Sequence, residues 1–197
     1  MSEQETATKP YHHGDLRSAL LAAAEAELAE RGIEAFSLRA VAKRAGVSHA
    51  APAHHFKDTG GLLTALAAEG YRQFLAAQAA REAAAAPDAR AQLIAAGMGY
   101  VDFALARTAL FRLMHASDRP DYGTADLGAV AKAAYDHLSQ GVAAIRPNPG
   151  VADVAAAWAT AHGLADLMSS GRLNSVSSLP DAARDMAIRD IIGRSLP

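Results

Sequence analysis

The chain has 197 residues, no cysteine and a formal net charge of −2, which excludes disulfides and thiolate metal sites and argues against a uniformly basic nucleic-acid coat. Hydrophobic residues make up 51% and charged residues 20%, a globular composition, and alanine so outweighs the aromatics (6%) that closely packed helices are favoured over a β-sandwich. The opening MSEQETATKP lacks the apolar core of a signal peptide, and no run approaches the roughly 18 strongly apolar residues of a membrane span, so a soluble, cytoplasmic protein without membrane association is expected.

Residues 1–13 are predicted to form a flexible arm, and Asp15 is placed to cap a first helix. Leu16, Leu20, Ala23, Ala24 and Leu28 then share one face, and Gly32 follows Arg31 as a stop. Ser37 can cap a short second helix with Leu38, Val41, Ala42 and Ala45 inward, ended by Gly46. Ser48 or His49 can cap a third, running to about His55. With either cap, Pro52 falls in the first turn, where its missing N–H breaks little or nothing.

Asp58 or Thr59 begins a fourth helix of roughly 25 residues with the stripe Leu62, Leu63, Leu66, Ala67, Tyr71, Phe74 and Leu75. Helical patterns then cover about 88–105, 107–116, 124–145, 151–171 and 181–195, separated by turn-rich segments such as SDRPDYG (117–123) and RPNPG (146–150). The expectation is all-α: nine helices, no sheet, a three-helix unit at 14–57 and a six-helix body at 58–197.

Charge is uneven along this frame. Arg39, Lys43, Arg44 and Lys57 lie between Ser37 and Lys57 with no acidic residue, while the other 15 basic residues share the chain with all 21 acidic ones. A cationic segment on an acidic body is the pattern of a local phosphate-binding surface. Two short helices joined by a glycine turn are also the helix-turn-helix arrangement, which needs a small residue at the helix crossing (Ala42), a positive-φ turn (Gly46) and an apolar plug behind it (Val47).

The run LRAVAKRAGVSHAAPAHHFKDTGGLLTAL (38–66), preceded by AERGIEAFS, closely resembles the N-terminal domain of the TetR family of transcriptional repressors. Further on, GYVDFALARTALFRLMHAS (99–117) and WATAHGLADLMSSGRL (158–173) resemble the ligand-binding half of one family branch. The resemblance implies that Ser37 and Arg39 meet phosphate or a guanine edge, and that Ser48, His49, Ala50 and Ala51 face the groove floor. It places His54, His55 and Lys57 near the DNA backbone. The chain departs from the family pattern at Ala53, where Tyr is usual, and at Thr59, where a basic residue is common. The loss of those two phosphate contacts predicts weaker nonspecific binding, and Gly60-Gly61 reads as an unusually flexible helix start.

The histidines do not read as a metal site. His49 and His54 are five apart and His54 and His55 adjacent, whereas ligands on one helix face need spacings of three or four. In the body, Trp158 and His162 stand at i, i+4 and read either as core or as walls of a ligand cavity; Met98, Phe103, Met114, His115 and Tyr135 could line the same space. No nucleophile elbow, phosphate loop or paired carboxylates occur, so neither catalysis nor a cofactor is expected. The resemblance implies a repressor that binds a pseudo-palindromic double-stranded operator as a homodimer, paired through 151–171 and 181–195, and is released by a small, largely apolar ligand. The alternative is a helical small-molecule binding protein with weak or lost DNA binding.

Overall fold

The computed structural model describes residues 13–196, and among these there are ten helices and no strand. The predicted arm lies outside the described residues except for His13, which already belongs to α1 (His13–Arg31). Asp15 is therefore inside that helix and not at its cap. Leu20, Ala24 and Leu28 form its inward stripe, each at most 3% exposed. Gly32 closes it at φ +71°, its N–H donating to the Leu28 carbonyl at 2.9 Å.

Ser37 caps α2 (Leu38–Ala45), its Oγ accepting from the Ala40 N–H at 3.3 Å. At the other end Gly46 takes φ +68°, and the N–H groups of Gly46 and Val47 donate to Lys43 and Ala42. Ala42 is fully buried, as a close crossing of helices requires. The third helix, α3 (Ala51–Phe56), starts later than predicted. Its cap is Ala50, without a side-chain bond, because residues 48–51 form a separate turn in which the Ala51 N–H donates to the Ser48 carbonyl at 3.0 Å. Pro52 occupies the second helical position and is buried, so it costs no hydrogen bond.

Between α3 and α4 (Thr59–Ala83) the chain turns within three residues. Lys57 has φ +70° and ψ −61°, and the Asp58 N–H donates back to the Phe56 carbonyl at 2.8 Å, a γ-turn of the strained hand. Asp58 then caps α4, accepting from the Gly61 N–H at 2.8 Å. Gly61 is there for space: a Cβ would lie 2.0 Å from the Phe56 oxygen. What reads in the sequence as a flexible start is a tightly packed corner.

The body continues with α5 (Ala89–Ala106), α6 (Thr108–His115), α7 (Ala125–Ile145), α8 (Val151–Ser169), the one-turn α9 (Asn174–Ser177) and α10 (Asp181–Ser195). The sequence had suggested a bare connection at α9 and an eighth helix reaching 171; Gly171, at φ +71°, ends α8 earlier. The largest hydrophobic cluster joins α1 to α10 through Leu20, Leu62, Leu66, Val101, Leu110 and Ile192, so the three-helix unit and the body share apolar contacts. A smaller cluster of Leu93, Val142, Val154, Ala157 and Leu196 packs in the body. Arg81 near the end of α4 reaches Asp102 on α5 at 3.0 Å and Asp185 on α10 at 2.9 Å, tying three helices together. No single helix among the described residues is long and apolar enough to cross a membrane.

Candidate functional site

The residues predicted to read DNA occupy one end of the molecule. Ser37, Arg39, Ser48, His49, Ala50, His54 and Lys57 are exposed, while Ala51 and His55 are half-buried. Ser37, Arg39 and His49 line one shallow depression with Lys43; His54, His55 and Lys57 line a second beside Arg17. The Arg17 guanidinium stands 5.5 Å above the Phe56 ring, a cation–π contact that holds a positive charge next to α3. The sequence reading missed Arg17 because it belongs to α1, and its only local signal is a cation beside the inward Leu16.

Arg44 lines the first depression too, but its guanidinium is engaged. Its Nε and Nη2 lie 3.1 and 3.0 Å from Glu27 Oε2, and Nη2 also meets Glu30. Glu27 is only 3% exposed, so its charge needs a partner in place, and Arg44 supplies it by bridging α2 to α1. The Glu30 carboxyl is held below its usual range by the hydrogen bond and charge of Arg44.

At the other end, α4, α5, α7, α8 and α10 enclose a cavity of about 400 Å³. This is the size and chemistry of a small-molecule site: apolar walls with a few polar groups. From α4 it receives Tyr71, Phe74, Gln78 and Glu82. His115, Tyr135 and Trp158, three of the seven residues singled out in the sequence, line it as well. Tyr135 and Trp158 are 49% and 43% exposed, so they edge its opening. His162 sits behind the wall and shares a 2.8 Å hydrogen bond through Nδ1 with the Tyr100 hydroxyl, which does line the cavity. Met98, Phe103 and Met114 are placed elsewhere: each is at most 3% exposed and belongs to the packed core. Phe103 stands edge-on to Phe74 at 5.6 Å, and Met114 packs where α4 lacks a side chain at Gly70.

An aromatic cluster surrounds the two histidines. The His115 and His162 rings are 5.3 Å apart, with Phe111 at 4.9 Å from the first and Tyr100 stacked on it at 6.1 Å. Burial, and then the neighbouring His162, pull the His115 imidazole down to about 4, so it is neutral at pH 7. Its Nε2 is buried without a hydrogen-bond partner among the described residues. Burial pushes the Tyr100 hydroxyl up to about 12, with the Trp158 indole opposing it.

Gln78 and Glu82 were missed because α4 had been read for its apolar stripe alone. The signal was present: Phe74, Gln78 and Glu82 follow at intervals of four, so one helix face runs from core into polar groups.

A family model described as "Tetracyclin repressor-like, C-terminal domain" matches residues 93–191, and one described as "Bacterial regulatory proteins, tetR family" matches residues 20–66. Curated protein sequences yield no match. Among solved structures, a protein of unknown function from Rhodococcus sp. RHA1 is 36% identical, with a TM-score of 0.78, covering 96% of this chain and 99% of that one. A transcriptional regulator from Rhodococcus sp. Rha1 is 26% identical, with a TM-score of 0.65 and coverage of 90% and 94%. The multidrug binding protein EbrR, solved with imidazole, shares the fold at 20% identity and a TM-score of 0.61, covering 93% of this chain and 90% of that one. With a helix-turn-helix at one end, a walled cavity at the other and both halves matched by family models, the chain belongs to the TetR family: it is a DNA-binding transcriptional regulator with a C-terminal ligand-binding domain.

Proposed function

We propose that the protein is a repressor whose homodimer holds an operator until a small, largely apolar ligand enters the body. In this reading residues 14–57 read DNA and residues 58–197 bind ligand and dimerise. One observation carries it: α4 walls the cavity with Tyr71, Phe74, Gln78 and Glu82, and the same helix is capped by Asp58, directly against the end of α3. A ligand that fits the cavity better when α4 is displaced would therefore move α3, and with it the spacing of two reading helices about 34–36 Å apart on the operator. Release follows only if the ligand discriminates between those two positions.

The test is gel-shift with the DNA upstream of the protein's own gene. A specific shift that small apolar compounds reverse supports the repressor, and no shift even at low salt overturns it. Trp158→Ala should then change the release concentration while leaving operator affinity intact.

The binding-protein alternative draws on one observation. With Arg44 committed to Glu27 and Glu30, and with Ala53 and Thr59 in place of an aromatic and a basic residue, the reading face carries fewer phosphate contacts than its relatives' pattern. Ligand binding without any gel shift would favour it.

A further inference from the structure

The polar groups of the cavity are not a neutral mixture. Gln78 donates its amide N–H to the Ala96 carbonyl at 3.2 Å, and its Oε1 is a buried acceptor without a partner among the described residues. Gln92 is oriented the same way, its Nε2 donating to the carbonyls of Glu82 and Ala86 at 3.0 and 2.9 Å. Glu82 can only accept when ionised, and one of its oxygens lies 2.9 Å from His137 Nε2. Gln78 and Glu82 are one turn apart on α4, with Gln92 beside them on α5. No Lys or Arg lines the cavity among the described residues. The amide orientations are fixed by geometry, since in both cases the partner is a carbonyl and only the NH₂ end can donate to it.

From this we infer that the effector carries a protonated amine or a comparable cationic hydrogen-bond donor on an aromatic or apolar body, with the head read by Glu82 and Gln78 and the body held against Trp158 and Tyr135. A carboxylate-headed ligand would meet Glu82 with like charge and find no Lys or Arg to neutralise it, and His137, which also lines the cavity, already faces Glu82, so acids are selected against. A neutral head could use Gln78 but would forgo the charge-assisted bond to Glu82. Aromatic walls favour a cation further. The inference rests on the ligand-binding reading of this cavity and adds the chemical class that the cavity accepts.

Three probes with one body separate the possibilities: 4-phenylbutylamine, 4-phenylbutanol and 4-phenylbutyric acid. Trp158 is the only tryptophan and lines the cavity, so its fluorescence reports binding directly in the full-length protein. The amine should bind about tenfold or more tighter than the alcohol, the gain of a hydrogen bond to a charged partner, and the acid should bind most weakly. In Glu82→Gln the amine should lose that advantage over the alcohol, while the alcohol binds as before; a thermal melt checks that the variant is folded. If the acid binds as well as the amine, or the amine preference survives Glu82→Gln, the class is wrong although the ligand cavity stands. If none of the three binds at millimolar concentration, the inference and the ligand-binding reading of this cavity fall together.

Discussion

The Phe56 carbonyl oxygen lies where a Cβ on Gly61 would come within 2.0 Å, and the same oxygen accepts the hydrogen bond that closes the γ-turn at Lys57. The end of α3 and the start of α4 are thus in backbone contact. Gly61→Ala should force this corner apart, destabilising the protein by about 1–3 kcal/mol as overpacking does, and should weaken operator binding more than that loss alone explains. Gly60→Ala is the control: its Cβ meets only the Asp58 side chain, at 3.3 Å, so urea denaturation should find it near neutral. Equal effects of the two substitutions would show that the corner is not a rigid joint.

Lys57 combines an exposed cation with strained backbone, which lets charge and conformation be separated. Lys57→Ala should lower affinity for all DNA sequences alike and reduce the slope of log K against log salt by about 0.9, one phosphate's share. Lys57→Gly should lose the same DNA contact yet gain about 1 kcal/mol of stability, because glycine accepts φ +70° without strain. Arg44→Ala should do the reverse: the melting temperature falls because Glu27 keeps its buried charge with only Arg31 nearby, at 3.4 Å, while the salt slope stays unchanged. A reduced slope in Arg44→Ala would add Arg44 to the phosphate contacts.

These contrasts also mark how far the sequence could be read. Helix ends were legible where a side chain or a glycine imposes them locally: Ser37, Gly46 and Asp58 act within a few residues of themselves. Ser48 was not, since a serine before a helix looks the same whether its side chain caps the helix or its carbonyl closes a separate turn. The engagement of Arg44 was not legible because its partners, Glu27 and Glu30, come from another helix and only folding brings them near. The cavity was half legible for a related reason. Methionine and phenylalanine at helical spacing declare that a face is inward, but α4 and α5 are apolar on more than one side, so Met98 and Phe103 turned into the core, as did Met114 on α6, while Tyr100 and Gln78 met the cavity.

In the proposed homodimer α8 and α10 pair with their copies, and both helices carry exposed apolar side chains. Leu167 on α8, and Met186 and Ile191 on α10, are 41%, 71% and 36% exposed. Met186→Glu should place two like charges in the interface and weaken the dimer by about 2–4 kcal/mol, the loss of a hot spot. Sedimentation equilibrium checks this, and an unchanged dimer would move the interface off α10. Operator affinity should fall with dimer content while ligand binding persists.

The His115 imidazole makes the fold sensitive to acid. In the folded chain its pKa is drawn down to about 4 by burial and by His162, against about 6.5 in an unfolded chain. Between those values the unfolded state binds the proton and the folded state does not, so stability is full above pH 6.5 and drains away as pH falls toward 4. From pH 7 to pH 5 the loss from this one group is about 2 kcal/mol, an order-of-magnitude figure. His115→Phe keeps a ring of similar shape among Tyr71, Tyr100 and Phe111 and removes the titrating group. Urea denaturation of the two proteins at pH 7 and pH 5 should show the variant losing less stability over that interval. Parallel losses would place the acid sensitivity in groups other than His115; the Asp185 carboxyl is not one of them, because Arg81 holds it below its usual range and its contribution is lost only in more acid solution.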